Sequence, residues 1–150
     1  MKALELKVDK WTFKVPKNLL YNENDFWAKI EGNTATVGIT DYMQNMVSDI
    51  IYVELPTIGN RIEQFDEAGS FESTKTILDI ISPVTGIIQE VNHELENTPD
   101  LANTDPYDKG WFLKVALLNL ESDKENLIDA HAYFEVMKRK IEKERAKRTD

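Results

Sequence analysis

One lysine is set apart by its surroundings. In the stretch GSFESTKTILDIISPVTG (residues 69–86), Lys75 is the only Lys or Arg between Arg61 and Lys109. Glu72 lies three residues before it and Asp79 four after, and an apolar extended run flanks it on each side. This pattern predicts a hairpin with the lysine at its tip, exposed and mounted on a rigid base. Those are the demands of an enzyme that must acylate one amine among many. A lysine amine is protonated at neutral pH and unreactive until an activated acyl group is delivered. From the hairpin alone, one more solvated turn lysine is the simpler reading.

Other chemistries are short of residues. The 150-residue chain contains no cysteine, which removes disulfides, thiolate metal sites and cysteine nucleophiles. His93 and His131 are the only histidines, too few for a multi-histidine metal site, and no metal is expected. No Gly-rich phosphate loop, HExxH or G-x-S-x-G motif occurs. No pair of carboxylates singles itself out for acid–base work. A catalytic role for the bare polypeptide is therefore not expected. The net charge of −9 argues against a general nucleic-acid binder. No run of apolar residues is long enough to span a membrane, and the N-terminus lacks the apolar core of a secretory signal. A cytoplasmic protein is expected.

The elements that must position Lys75 are mostly short strands. Thr34–Ile39 alternates strictly, with Ala35, Val37 and Ile39 on one face. Asp49–Leu55 is rich in β-branched and aromatic residues; Pro56 stops it and Gly59-Asn60 marks a turn. Short extended pieces follow at Arg61–Phe65, Gly69–Ser73, Thr76–Ile81 and Ile87–Val91. Residues 92–110 are polar and turn-rich, and Trp111–Leu117 is the last strand. This spacing suits a small barrel or sandwich, not βαβ units. Thr40 is placed to cap a short helix through about Asn45, with Met43 and Met46 facing inward. Ser122 and Glu125 have capping-box spacing and predict the start of a C-terminal helix. Its apolar stripe would be Leu127, Ala130, Phe134, Met137 and Ile141. Its basic end, KRKIEKERAKRTD, is expected to be a solvated, projecting helix end. The chain thus divides into an N-terminal extension (1–20), a β domain (21–120) and a C-terminal helix with a basic tail (121–150).

Several segments, in order and in register, resemble the glycine cleavage system H protein family. Glu72-Ser73-Thr74-Lys75-Thr76 resembles that family's Glu-Ser-Val-Lys-Ala, and Asp79 and residues 82–86 (SPVTG) follow at matching spacing. Upstream, residues 35–41 read ATVGITD and residues 49–56 read DIIYVELP, as in the family. Downstream, Val91-Asn92, Leu95, Pro99-Asp100-Leu101, Asn103, Asp105-Pro106-Tyr107 and Gly110-Trp111 keep the pattern. The likeness covers about residues 21–135. It implies a mainly β fold, a barrel-sandwich hybrid of two small antiparallel sheets of the lipoyl/biotinyl-carrier kind, with a short helix and a C-terminal helix. It also implies a non-catalytic carrier with lipoate amide-linked to Lys75 within Glu72, Ser73, Thr74 and Thr76. The implied partners are a lipoate ligase or lipoyltransferase, glycine decarboxylase, an aminomethyltransferase and dihydrolipoyl dehydrogenase, with an aminomethyl group as cargo.

One motif departs from the family. Its usual Tyr-Thr-x-x-His-Glu-Trp reads Tyr21-Asn22-Glu23-Asn24-Asp25-Phe26-Trp27 here. The resemblance implies a groove for the loaded arm, with Asn24, Phe26 and Asp79 as candidate lining. Phe26 stands where the family has a glutamate, and a phenyl ring offers a carried ammonium only cation–π or apolar contact. An H-like lipoate-binding branch, carrying sulfur for a heterodisulfide-reductase-like oxidation complex, would need no such glutamate. A module that binds proteins without lipoylation is the third reading, favoured by the basic tail.

Overall fold

The computed structural model describes residues 2–149. The chain opens with a hairpin of β1 (Ala3–Val8) and β2 (Trp11–Pro16), paired from Ala3↔Pro16 to Val8↔Trp11. Alternation in β2 buries Phe13 and Val15 and turns Thr12 and Lys14 outward. Nine further strands, two of them only two residues long, then build the body. They are β3 (Leu20–Tyr21), β4 (Phe26–Glu31), β5 (Thr34–Ile39), β6 (Ile50–Glu54), β7 (Arg61–Ile62), β8 (Glu67–Ser73), β9 (Ile77–Ile81), β10 (Gly86–Val91) and β11 (Leu113–Leu117). One sheet of the body has the order β3-β4-β5-β11-β10-β7, and the other has the order β6-β8-β9.

The two body sheets enclose one apolar core. Val37 and Ile39 of β5, Phe71 of β8, Ile80 of β9, Ile88 of β10 and Val115 of β11 all point into it. Phe71 and Phe112 meet there at 5.8 Å between ring centroids. The expected barrel-sandwich hybrid with antiparallel sheets is therefore present, with the N-terminal hairpin as a third, two-stranded sheet beside it.

Helix α1 (Asp41–Val47) is capped by Thr40, whose hydroxyl accepts from the Met43 amide at 3.2 Å. Its fully buried residues are Tyr42 and Val47; Met43 and Met46 pack at the margins of the two cores. The segment expected to be turns at 92–110 contains two single-turn helices, α2 (Glu94–Asn97) and α3 (Leu101–Thr104).

The C-terminal helix starts later than its capping-box pattern predicts. Ser122 and Glu125 belong to a short helix, α4 (Leu120–Asp123), and a 3-10 turn (Lys124–Asn126). Two long-range demands overrule the local signal. Asp123 is buried and accepts from the Thr85 amide at 2.6 Å and the Thr85 hydroxyl at 3.0 Å. Ile128 is then drawn into a β-bridge with Tyr21, with a 2.9 Å bond in each direction. Only after this bridge does α5 (Ala130–Thr149) begin, with Asp129 Oδ1 accepting from the Ala132 amide.

A second core lies between α5, the N-terminal hairpin and β4. It contains Phe13, Val15, Tyr21, Trp27, Tyr133 and Met137, with Tyr21 and Tyr133 stacked at 4.6 Å. The basic end of α5 is tied down along this face, contrary to a projecting tail. Lys140 Nζ donates to Asp25 Oδ2 at 2.8 Å, and Arg145 pairs with Asp9 at 2.9 Å. Among the described residues no helix is long and apolar enough to cross a membrane.

Candidate functional site

The tip between β8 and β9 is built by short-range bonds. Ser73 Oγ accepts from the amides of Lys75 and Thr76, both at 3.1 Å, and the Ser73 amide donates to the Thr76 carbonyl at 2.8 Å. This local side-chain wrap is the kind of turn serine favours. The Thr74 amide donates to the Asp49 carbonyl at 3.0 Å, which ties the tip to the start of β6. Ser73 is buried beneath the turn, while Thr74, Lys75 and Thr76 are exposed. Among the described residues, no carboxylate lies within ion-pairing distance of the Lys75 ammonium. The backbone is thus held while the amine is left bare.

The strand beneath the tip depends on Gly69. It sits at φ +95° beside the irregularity in pairing between Glu67 and Ser70. A Cβ there would stand 2.3 Å from the Glu54 carbonyl oxygen of the neighbouring strand. Only glycine meets both conditions. Above this point Tyr52 lies opposite Glu72 and Glu72 opposite Ile77, and a second irregularity follows in β6 between Tyr52 and Ile50. Facing residues of an antiparallel sheet share a face. Tyr52, Glu72 and Ile77 therefore form one outward row just below Lys75, and Tyr52 and Ile77 are 59% and 65% exposed. Sequence reading singled out Glu72 but missed this apolar pair, although the alternation of DIIYVEL and TILDII carried the signal.

Asp79 belongs to the next outward row, opposite Ser70. Its carboxylate raises the pKa of Glu67 by charge repulsion and a shared hydrogen bond. Asn24 is exposed on the turn before β4, where its amide donates to Asn22 Oδ1. Phe26 does not line a groove: it is 1% exposed and packs in the core between the body sheets. Its inward direction follows from strand alternation in β4, and its hydrophobicity suits that place.

A polar network that the sequence did not reveal lies behind this region. Asp25 is buried with φ +73°. It accepts from Tyr133 Oη at 2.7 Å and from Lys140 Nζ, which also bonds the Glu23 carbonyl. Tyr133 Oη and Thr40 Oγ1 are 2.9 Å apart. Burial pushes the Asp25 carboxyl above its ordinary range, while Lys140 and the Tyr133 hydroxyl pull it back in part. Burial also drives the Tyr133 hydroxyl well up, so it serves as a donor.

Comparison with known proteins agrees with this architecture. The family model described as "Glycine cleavage H-protein" matches residues 19–140. The glycine cleavage system H protein of Staphylococcus saprophyticus is 44% identical over 123 residues, covering 82% of this chain and 97% of that relative. That of Brevibacillus brevis is 43% identical over the same length and shares. The crystal structure of a glycine cleavage system H protein from Mycobacterium marinum superposes with a TM-score of 0.65 at 31% identity, covering 75% of this chain and 98% of that one. All of β1 and β2 lies outside the family match, and α5 continues nine residues past it. The chain belongs to the glycine cleavage H-protein family of non-catalytic lipoyl carriers.

Proposed function

We propose that Lys75 is the attachment point of lipoate and that the loaded chain carries an aminomethyl group between the enzymes of glycine cleavage. The observation that carries this reading is an amine without an ion-pair partner among the described residues, on a turn fixed by Ser73 Oγ. Amide formation neutralises a lysine. Here that neutralisation breaks no salt bridge, so the residues present fit the group. Glu72, Thr74 and Thr76 frame the side chain that a lipoate ligase or lipoyltransferase must read. When bound, the lipoyl group supplies the sulfur chemistry, and the domain supplies its position.

The chain's own contribution is presentation. The ordered tip delivers the arm to successive partners at high effective concentration. Glycine decarboxylase, an aminomethyltransferase and dihydrolipoyl dehydrogenase are the partners of this reading, which places the protein in the cytoplasm. The outward row of Tyr52, Glu72 and Ile77 offers them an apolar and acidic footing beside Lys75.

A second reading draws on Phe26. With that position in the core, no carboxylate stands there to meet a carried ammonium, and a sulfur carrier would need none. Reconstituted exchange of bicarbonate with the glycine carboxyl, using the lipoylated protein and glycine decarboxylase, separates the two. Exchange supports the aminomethyl carrier; a fully lipoylated protein that supports none favours the sulfur carrier.

A further inference from the structure

The N-terminal hairpin has one closed edge and one open edge. Its phase is set by the 2.9 Å bond from the Lys17 amide to the Lys2 carbonyl, which continues the β1–β2 register by one pair. Bonded pairs alternate along an antiparallel ladder. Leu4, Leu6 and Val8 therefore bond to β2, and Glu5 and Lys7 aim their N–H and C=O groups away from it. The far edge of β2 is closed by the body. There the Lys14 amide donates to Asp41 Oδ2, and the Lys14 and Pro16 carbonyls accept from Tyr107 Oη and Tyr21 Oη. The edge of β1 has no such cover: the hairpin is a two-stranded sheet, and among the described residues nothing bonds the backbone of Glu5 or Lys7. No proline or bulge interrupts β1, the usual guards of a free edge. Its exposed charges are one of each sign, and neither Glu5 nor Lys7 has an ion-pair partner among the described residues.

We infer that the β1 edge pairs with the same edge of a second copy of this chain, antiparallel about a two-fold axis through Leu6, so that the two hairpins form one four-stranded sheet. Charge selects this register. Centred on Leu6, it sets Glu5 of each copy opposite Lys7 of the other, and each such pair exchanges both of its free backbone bonds. Centred on Glu5, it would set carboxylate against carboxylate. The apolar face agrees with the choice. Leu4, Leu6 and Val8 share the inner face of the hairpin with Phe13 and Val15 and are only half-buried. In the paired sheet Leu6 meets Leu6, and Leu4 meets Val8. Beneath this edge an open recess of about 330 Å³, lined by Leu6, Val8, Lys138, Ile141 and Glu142, receives the added strand's Leu6. A strand edge of six residues is a small interface, so the dimer is reversible and concentration-dependent. β1 lies outside the residues that match the family model, so the contact is a property of the appended hairpin and stands apart from the chemistry of Lys75.

Sedimentation equilibrium of the full chain, from micromolar to near-millimolar concentration, tests the pairing. The wild type should pass from monomer to dimer across that range. Glu5→Lys sets lysine against lysine, and Lys7→Glu sets carboxylate against carboxylate. Each should weaken the dimer by roughly tenfold or more. Both side chains are exposed, and unchanged circular dichroism confirms that the variants fold. Mixed together, the two variants should dimerise again, because position 5 of one then faces the opposite charge at position 7 of the other. The double variant Glu5→Lys/Lys7→Glu should recover alone. Amide hydrogen exchange supplies the second readout: the Glu5 and Lys7 amides should become protected in the dimer, whereas those of Leu4, Leu6 and Val8 are protected in the monomer already. A wild-type chain that stays monomeric at every concentration overturns the pairing and leaves the edge to a strand of another protein. A dimer indifferent to the charge reversals, a mixture of the two variants that stays monomeric, or a dimer whose Glu5 and Lys7 amides stay unprotected overturns it as well.

Discussion

The tip around Lys75 and the cap made by the N-terminal hairpin and α5 are held by opposite means. The tip is fixed by bonds among neighbours: Ser73 Oγ accepts from amides two and three residues ahead, and Lys75 has no ionic partner among the described residues. The cap is fixed by bonds across the whole chain: Asp25 meets Tyr133 and Lys140, more than a hundred residues away, and all three are drawn into or beside an apolar core. One region spends its polar groups on shape and leaves its amine for others to use. The other buries a charge that is tolerable only while its partners stay in place. A carrier needs both: a bare, ordered tip and a body that does not shift beneath it.

Breaking the buried charge should have the largest effect. Lys140→Met should destabilise the protein by about 3 kcal/mol at neutral pH, because it leaves a buried carboxylate without its cation. The loss should shrink on acidification. A carboxyl with a raised folded pKa binds its proton more readily in the native state, so its ionisation costs stability as pH rises from the ordinary carboxylate range through the folded value. Below that window the neutral carboxyl needs no ammonium. Denaturant melts of the wild type and the variant across pH 3–8 would read both effects; a pH-independent deficit would assign Lys140 a packing role only.

Gly69→Ala tests the strand beneath the tip. The required φ and the close Glu54 carbonyl should together cost about 2 kcal/mol. Amide exchange should quicken in β6, β8 and β9 and stay unchanged in α5. Ser73→Ala is the mildest change. It removes the wrap beneath Lys75 and should cost about 1 kcal/mol, with faster backbone motion confined to residues 73–76 in NMR relaxation. Comparable loosening of α5 in either variant would mean that tip and cap are not separate regions.

This contrast also explains what the sequence disclosed. The hairpin of Lys75 was legible because strand alternation and a Ser-Thr-Lys-Thr turn are local, and its register then follows from the buried Phe71 and Ile80. The cap of α1 by Thr40 was legible for the same reason. The start of α5 was not, since Ser122 and Glu125 carry a true capping pattern that Asp123–Thr85 and Ile128–Tyr21 override. The fate of residues 1–20 was equally hidden. Phe13 and Val15 alternate, but nothing nearby shows that they join one core with Tyr42, Tyr133 and Met137. Asn24 and Asp79 were assigned to a groove on resemblance, as was Phe26, and only the sheet geometry shows that Phe26 faces the core.

The central claim is that the bare amine at the tip carries lipoate. Intact-mass measurement with peptide mapping, on protein from its native host supplied with lipoate, tests it most directly. The account predicts a single lipoyl or octanoyl adduct on Lys75, entirely absent in Lys75→Arg, whose melting temperature should match the wild type. An unmodified chain under those conditions, or an adduct on a different lysine, would contradict it.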